Sequence, residues 1–219
     1  MSQGPPPARV LDALPAALPV PAPGEAELWW LDGAVDAALV RATWQRVLAA
    51  YLGAAAPRLR RTARGRPFLD HAGAPDFNAS HTRGGAVLVV AGRGPVGIDL
   101  ERRDRVLPAL RLARRWFAPE EAHALETLAP ARAQAAFLQL WTAKEAACKA
   151  TGRGIAGQLH RWRFEVGADP PRLLAAPERA PGGEGWRFQH LHPAPGFVCT
   201  LAVAGALPRW RGHYVLRGG

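Results

Sequence analysis

The sequence predicts an α+β fold, and three observations support it. Strand-like and helix-like segments mix along the whole chain, which argues against a helical bundle or an all-β barrel. Heptads and short repeats are lacking, so neither a coiled coil nor a solenoid is indicated. The 219 residues are 48% hydrophobic and 21% charged, a composition typical of a globular protein with a sizeable core.

The N-terminal third is predicted to contain a tail, a strand and a helix. Residues 1–24 include seven prolines, which indicates an extended or loosely held tail. A strand is predicted at 27–32. Apolar residues at helical spacing predict a helix at 35–52, which ends at Gly53, a suitable C-cap. The basic segment 57–66 is predicted to form a strand and a loop.

The middle and the C-terminal part combine a hairpin, helices and further strands. Residues 86–91 and 95–101 are predicted strands, joined by a turn at 92–94. A basic helix is predicted at 108–117, a second helix begins at Pro119, and a third covers 131–150. The remaining predicted strands are 162–166, 186–190 and 197–204.

Charge and cysteine content limit the class of partner and the location. The formal net charge of +10 favours an anionic partner, which leaves nucleic acid, an acidic membrane surface, a polyphosphate cofactor and an acidic protein open. The start of the chain does not resemble a signal peptide, and the longest apolar run is too short to span a bilayer. Cys148 and Cys199 show no zinc or disulfide pattern. We therefore expect a cytoplasmic protein with reduced thiols.

Scarce residue types point to candidate site segments. Of the 28 basic residues, 26 are Arg, and the two lysines are Lys144 and Lys149. Asn78 is the single Asn, and Ser80 is one of only two serines. A lysine kept in such an Arg-rich chain suggests a need for a compact ammonium group. The scarce residues predict an active site in three segments, 77–82, 97–101 and 141–149.

Two pairs of charged residues in these segments suggest metal-assisted chemistry. Asp99 and Glu101 lie two apart on a predicted strand, so both carboxylates share one face. Glu145 and Lys149 lie four apart on a predicted helix. Each pair alone also fits an ordinary solvated surface. Together, three carboxylates and a lysine are what Mg²⁺-assisted phosphoryl transfer requires.

The order of several motifs resembles the Sfp-type 4'-phosphopantetheinyl transferases, in the variant with a Lys-Glu-Ala motif. The resemblance spans roughly residues 65–204. The motifs that carry it are Gly65-Arg66-Pro67, Phe77-Asn78-Ala79-Ser80-His81-Thr82, Gly97-Ile98-Asp99-Leu100-Glu101, Phe117-Ala118-Pro119-Glu120-Glu121, the segment 141–149 and Gly152-Arg153-Gly154.

The resemblance implies a fold of two similar α/β subdomains related by a pseudo-twofold axis. After the tail at 1–24, the implied subdomains are 25–101 and 102–219, with coenzyme A bound in the cleft between them. It further implies transfer of the 4'-phosphopantetheine arm of coenzyme A to a serine of an apo acyl or peptidyl carrier protein. The implied carrier is an acidic, transient partner, and the enzyme is expected to be a monomer that uses neither nucleic acid nor membrane.

The resemblance also implies roles for single residues. Asp99, Glu101 and Glu145 match the Mg²⁺ ligands, and Glu145, or a metal-ordered water beside it, would take the proton of the attacking serine. Lys149 matches the residue that contacts the pyrophosphate and steadies the leaving group. The further matched residues are Ser80 and His81 on the coenzyme phosphates, Arg66 on the adenosine side, Lys144 in coenzyme binding and Glu121 as an additional acid near the reaction centre.

Two features leave parts of this interpretation open. Residues 25–40 contain neither Arg nor Lys, so the 3'-phosphate of coenzyme A lacks its usual N-terminal partners. Arg41, Arg46 and the cluster 58–61 are candidate substitutes. The basic residues of the segment 102–115 face either an acidic carrier or solvent.

Two other functions compete with the transferase hypothesis. A basic nucleic-acid-binding protein agrees with the charge and the Trp and Arg content, although no nucleic-acid motif is present. The other is a homologue that binds coenzyme A without turnover, an alternative that the shortened N-terminal region keeps open.

Overall fold

A computed structural model describes residues 4–33, 36–53, 56–178, 180 and 185–217. The strands in chain order are β1 (Arg9–Leu11), β2 (Glu25–Asp32), β3 (Leu59–Arg61), β4 (Pro67–Leu69), β5 (Asp76–Thr82), β6 (Gly85–Ala91), β7 (Val96–Arg102), β8 (Arg163–Phe164), β9 (Leu173–Ala175), β10 (Trp186–Leu191), β11 (Phe197–Ala204) and β12 (Arg209–Arg217). The helices are α1 (Ala37–Leu52), α2 (Ala109–Trp116), α3 (Pro119–Glu126) and α4 (Pro130–Thr151). The α+β prediction is confirmed.

Capping residues, glycines and prolines define the ends of the helices. The Asp36 side chain accepts a hydrogen bond from the Leu39 amide at 2.7 Å and so caps α1. Gly53 ends α1 and Gly152 ends α4 in the left-handed conformation, which glycine adopts without steric cost. Both α3 and α4 begin with proline, whose missing N–H costs nothing at that position.

Two sheets pack back to back, and each is covered by helical structure on its outer face, α1 on the first sheet and α4 on the second. The first sheet has the strand order β1-β12-β2-β6-β5, and the second has the order β10-β11-β7. Alternation along the strands gives each sheet two apolar faces. Trp29 and Leu88 of the first sheet pack against α1, whereas Leu28 and Val89 face the second sheet. The outer face of the second sheet packs against α4.

The alternation along β7 separates apolar from acidic side chains. Ile98 and Leu100 are buried between the two sheets. Asp99 and Glu101 therefore point to the other face, on the side of α4. The register agrees, because Asp99 pairs with Thr200 of β11, whose hydroxyl lies 2.8 Å from that of Thr142 on α4. The strand that carries the acidic motif thus presents it to the helix that carries the lysines.

Several elements differ from the sequence-based expectations. Strand β12 was not predicted, because the glycine and arginines of its sequence mask the alternation, yet it pairs with β2 over most of its length. The prediction of an extended or loosely held tail at 1–24 stays a prediction, although part of this segment packs against the first sheet. β1 pairs with β12, and Leu14 and Leu18 pack on the core beneath α1. Residues 1–3 of the tail and Val35 of the predicted first helix lie outside the described residues.

The strand pairing cuts across the implied division at residue 101. Strand β7 precedes that boundary but pairs with β11, and β12 follows it but returns to the first sheet. The division into 25–101 and 102–219 therefore stays a prediction. None of the helices in the described ranges combines the length and the apolar character that crossing a membrane requires.

Candidate active site

A close approach of α4 to β7 builds the centre of the site. Gly97 lies where the two elements touch, and a Cβ at this position would come within 2.1 Å of the Ala146 carbonyl oxygen. Only glycine lets the two backbones come this close. The helix consequently lies with Glu145 and Lys149 over the acidic face of β7.

Lys149, Asp99 and Ser80 form a network that links α4, β7 and β5. The Nζ atom of Lys149 donates to Asp99 Oδ1 at 2.6 Å and to Ser80 Oγ at 2.9 Å. The Ser80 hydroxyl donates to the same Asp99 oxygen at 2.8 Å. Three of the predicted site residues, up to 69 positions apart in sequence, therefore meet.

Side chains of β5 join it to the free edge of β7. Asn78 Oδ1 accepts a hydrogen bond from the Ile98 amide at 3.0 Å, and Asp76 Oδ2 accepts one from the Val96 amide at 2.9 Å. A period of two places residues 76, 78 and 80 on the same side of β5. The only asparagine of the chain therefore replaces a ladder hydrogen bond between the two sheets.

The three predicted metal ligands share one electrostatic environment. Burial raises the pKa of Glu145 to about 7, and the neighbouring charge of Asp99 adds to this increase. Burial also raises the pKa of Glu101, while the Arg105 guanidinium, which donates to its carboxylate, opposes the increase. The carboxylates are thus close enough to repel one another.

The carboxylates nevertheless do not form a ready-made cage. Within the described ranges, no group of three or more His, Cys, Asp or Glu side chains converges closely enough to hold a metal ion. The physical reason is that Asp99 turns to Lys149 and Glu101 turns to Arg105. The predicted meeting of three acids at one point is therefore not seen as such.

The donor set still fits a divalent cation by its chemistry. Carboxylate oxygens are the ligands that Mg²⁺ prefers, and the ion uses only a few of them beside water and phosphate oxygens. Burial raises the pKa values of Glu101 and Glu145, the charge of Asp99 adds to both increases, and a bound cation would oppose them. Asp99, Glu101 and Glu145 are the residues that could hold such an ion.

A cavity of about 340 Å³ adjoins this cluster and passes between the loop before β4 and the end of α4. Glu145 and Lys149 line it on one side, and Arg66 and Asn78 line it on the other. Arg66 donates through Nη2 to Asp76 Oδ2 at 2.6 Å and to the Val96 carbonyl at 3.0 Å, so this nitrogen is occupied by the protein itself. We call this cavity, together with the adjoining network of Ser80, Asp99 and Lys149, the cleft.

His81 follows Ser80 and is exposed. The two adjacent side chains leave opposite faces of β5. His81 is thus near the cleft in sequence, without belonging to the Lys149 network.

Glu121 and Lys144 lie apart from the residues that line the cleft, and their predicted roles there stay predictions. The Lys144 side chain is fully buried, and its Nζ lies 2.7 Å from Glu121 Oε2. The ammonium group also donates to the carbonyls of Leu159 and Trp162, and Glu121 accepts from two backbone amides. Burial lowers the pKa of Lys144, which the Glu121 charge opposes. The pair is a closed ionic contact inside the C-terminal core.

The structure places two further residues at the site that the sequence analysis did not assign to it. Asp76 holds Arg66, and Arg105 pairs with Glu101 four residues earlier. The alternation that placed Asp99 and Glu101 on one face could have identified Asp76, which shares a face with Asn78 and Ser80. Arg105 carried no distinguishing signal in a chain with 26 arginines.

Comparison with known proteins matches this region to one family. The family model described as the 4'-phosphopantetheinyl transferase superfamily matches residues 95–202, which include β7, α4 and most of β11. The matched segment therefore carries Asp99, Glu101, Glu145 and Lys149.

Curated relatives extend the match beyond that segment. The 4'-phosphopantetheinyl transferase HetI of Nostoc is 32% identical over 75% of this chain and 69% of its own length. A putative 4'-phosphopantetheinyl transferase of Synechocystis is 41% identical over 40% of the chain. The transferase psf-1 of Bacillus pumilus is 32% identical over 64% of the chain. The matches span 35% of the Synechocystis protein and 53% of psf-1. By the HetI match over most of both chains, this protein belongs to the 4'-phosphopantetheinyl transferase superfamily.

Proposed function

We propose that this chain transfers the 4'-phosphopantetheine arm of coenzyme A to a serine of an apo acyl or peptidyl carrier protein. The observation that carries the proposal is the meeting of Ser80, Asp99 and Lys149 beside Glu145 at the cleft. The names of the relatives support it, because HetI and psf-1 are described as 4'-phosphopantetheinyl transferases.

The proposed metal ligands are Asp99, Glu101 and Glu145. Bound there together with the coenzyme pyrophosphate, Mg²⁺ would neutralise charge on the phosphate oxygens. The protein supplies two strand carboxylates on one face of β7 and one helix carboxylate over them.

The reaction that we propose balances as a displacement at phosphorus. The carrier serine oxygen bonds to the phosphorus that bears pantetheine, and the bond from this phosphorus to the bridging oxygen of the pyrophosphate breaks. Adenosine 3',5'-bisphosphate leaves. Glu145, or a water beside it, takes the serine proton. Lys149 stabilises the negative charge that develops on the leaving phosphate.

The remaining cleft residues are proposed to position the coenzyme. The Ser80 hydroxyl can turn from Asp99 to a phosphate oxygen, and exposed His81 can donate to another. Arg66 contributes less directly, since it holds the loop before β4 against β7 through Asp76. We therefore propose that Arg66 shapes the adenosine side of the cleft.

The acidic carrier, a monomeric state and a cytoplasmic location are further parts of this proposal. The segment 102–115 contains arginines that are exposed, among them Arg111, Arg114 and Arg115 on α2. Such a surface attracts an acidic partner at long range and suits a transient complex.

A direct assay tests the proposal. Purified protein, coenzyme A and Mg²⁺ are incubated with a panel of apo carrier domains, and intact-mass spectrometry follows each carrier. We expect at least one carrier to gain one phosphopantetheine arm, and chelation of the divalent ion to stop the gain. If a proven transferase modifies the whole panel and this protein modifies none, the proposal is overturned.

A second candidate is a coenzyme A-binding homologue without turnover. It is favoured by one observation, that Asp99 and Glu101 are paired with Lys149 and Arg105 instead of converging. Calorimetry distinguishes the two functions: binding of coenzyme A without transfer to any carrier supports the homologue, and binding followed by transfer supports the enzyme.

A further inference from the structure

The turn after β7 brings a cation back to one of the proposed metal ligands. Glu101 is the last buried residue of β7, and Arg105, four positions later, donates through Nη1 to its Oε1 atom. The Glu101 side chain is 11% exposed and that of Arg105 is 49% exposed, so the pair spans the border between the protein interior and solvent. Among the residues that the structure describes, Arg105 is the one partner that donates a hydrogen bond to this carboxylate.

Three contacts fix the backbone position of Arg105. Its amide donates to the Arg102 carbonyl at 3.3 Å and closes the turn. Its carbonyl accepts a hydrogen bond from Gln134 Nε2 of α4 at 2.8 Å. Within the turn, Arg102 Nε donates to Asp104 Oδ1 at 2.6 Å. The guanidinium therefore reaches Glu101 from a defined turn that is tied to both β7 and α4.

The two cations that contact proposed metal ligands differ in their surroundings. Lys149 pairs with Asp99 and lines the cleft, where the proposed reaction gives it a phosphate to stabilise. Arg105 is not among the described residues that line the cleft, and no step of the proposed reaction uses it. Its contact with Glu101 therefore has no role in that reaction so far.

A guanidinium and a divalent cation make the same demand on a carboxylate. Both bind its oxygens and neutralise its charge, and the two cations repel each other. Because Arg105 belongs to the same chain, its local concentration around Glu101 is set by the short tether and not by dilution. The apparent affinity of a ligand falls with the fraction of its site that is free to bind it.

We propose that Arg105 competes with the divalent cation for Glu101 and thereby sets how tightly the chain binds the metal. The inference rests on the proposed function for the identity of the metal ligands. Arg105 holds the carboxylate until the metal takes its place at sufficient concentration. Metal binding then releases the guanidinium from Glu101, while the backbone contacts of Arg105 with Arg102 and Gln134 keep the turn in place.

Titration with Mn²⁺ tests the inference without coenzyme or carrier. Mn²⁺ suits carboxylate oxygens as Mg²⁺ does, and electron paramagnetic resonance counts the free ion. Arg105→Gln keeps a long polar side chain and removes its charge. We expect this variant to bind Mn²⁺ roughly three- to tenfold more tightly than the wild type, the range that the loss of one partly exposed ion pair allows. Arg105→Lys restores a cation and should return the affinity towards that of the wild type.

Matched variants separate direct competition from a general loss of positive charge. Arg103 is exposed, lies in the same turn and donates to the Phe197 carbonyl at 2.9 Å, so Arg103→Gln removes an equal charge from a side chain that does not contact Glu101. It should change the Mn²⁺ affinity by less than about twofold, because solvent and salt screen the charge. Arg105→Gln combined with Glu101→Gln should bind Mn²⁺ no more tightly than Glu101→Gln alone, since the contested carboxylate is gone.

Urea titration checks that each variant is folded. Unchanged or weaker Mn²⁺ binding by folded Arg105→Gln overturns the inference, and so does an equal gain in Arg103→Gln. If none of the proteins binds Mn²⁺, the inference and the assignment of the metal ligands are both overturned. Tighter Mn²⁺ binding by Arg105→Gln, in a protein that modifies no carrier, would contradict the proposed transfer alone.

Discussion

The two lysines of α4 lie five residues apart and have opposite surroundings. Lys149 is partly exposed at the cleft, where Asp99 and Ser80 contact it and a cavity lies beside it. Lys144 is fully buried on another face of the helix, where Glu121 and two backbone carbonyls accept hydrogen bonds from its ammonium group. Both are lysine–carboxylate pairs of similar length, 2.6 and 2.7 Å.

The contrast shows that pairing alone does not identify a functional lysine. The donors of Lys144 are saturated by the protein, so substrate has nothing to bind, and the pair acts on stability. Lys149 can exchange Ser80 or Asp99 for a phosphate oxygen, because the cavity gives a ligand access. Predictions that separate stability from transfer therefore test the comparison directly.

The largest expected effect is on transfer, at the cleft. Glu145→Gln removes the charge of a proposed metal ligand and proton acceptor while keeping the side-chain shape. We expect the transfer rate to fall about a thousandfold or more, which is about 4 kcal/mol of transition-state stabilisation. The free energy of unfolding should change by less than about 1 kcal/mol, because no buried partner is left unpaired. Rates come from intact-mass measurements on an apo carrier, and stability from urea titration.

A matched carboxylate serves as the control for that loss. Glu165 is exposed and pairs with Arg172 at the surface, so Glu165→Gln removes the same charge away from the cleft. It should retain the wild-type rate. A folded Glu145→Gln protein with full activity would refute the assignment of the cleft.

The next effect is on stability, at the buried pair. Lys144→Met fills the space but leaves the Glu121 carboxylate buried without its cation. Breaking one side of such a pair costs about 3–5 kcal/mol, to be measured as the loss in free energy of unfolding. Arg132→Met, an exposed change on the same helix, should cost little. The transfer rate per folded molecule should match the wild type in both variants.

A double variant sharpens this result. Glu121→Gln with Lys144→Met removes both charges, so the double variant should be more stable than Lys144→Met alone. A lower stability than the single variant would show that Glu121 acts mainly through its bonds to backbone amides. If the folded Lys144→Met protein loses transfer activity, Lys144 takes part in the reaction, and the distinction between the two lysines is wrong.

Much of the fold and part of the cleft were predictable from residue patterns. The period of two placed Asp99 and Glu101 on one face, and the spacing of α4 placed Glu145 near Lys149. The sequence did not separate Lys144 from Lys149, because the two positions point to different sides of a buried helix and only packing decides which side meets α3. The same limit hid β12, whose partner β2 is more than 170 positions away in the chain.

A moderate loss of stability is expected where side chains of β5 join the first sheet to β7 of the second. Asn78→Ala removes the oxygen that accepts the Ile98 amide and leaves that amide buried and unpaired. The expected cost is about 1–3 kcal/mol of unfolding free energy, together with a lower transfer rate, because Ser80 on the same strand would lose its fixed position. Thr82→Ala on the same strand is the control. If Asn78→Ala keeps full stability, the contact between β5 and β7 does not depend on this hydrogen bond.

The smallest expected effect concerns His213, which is buried without the kind of charged partner that each of the two lysines has. Burial lowers the pKa of His213, against a weaker opposing hydrogen bond with the Pro6 backbone, and within the described ranges its Nε2 has no partner. As the pH falls through the unfolded value of about 6.5, the unfolded chain binds a proton that the folded chain does not, so stability falls. His213→Gln should flatten this decline, by less than about 1.4 kcal/mol per pH unit for one group, whereas exposed His71→Gln should not. Urea titrations at several pH values measure it. If the unfolding free energies of the wild type and His213→Gln depend on pH in the same way, burial alone does not shift the pKa of a group in this core. The behaviour of Lys144 would then depend on its pairing with Glu121 and not on its burial.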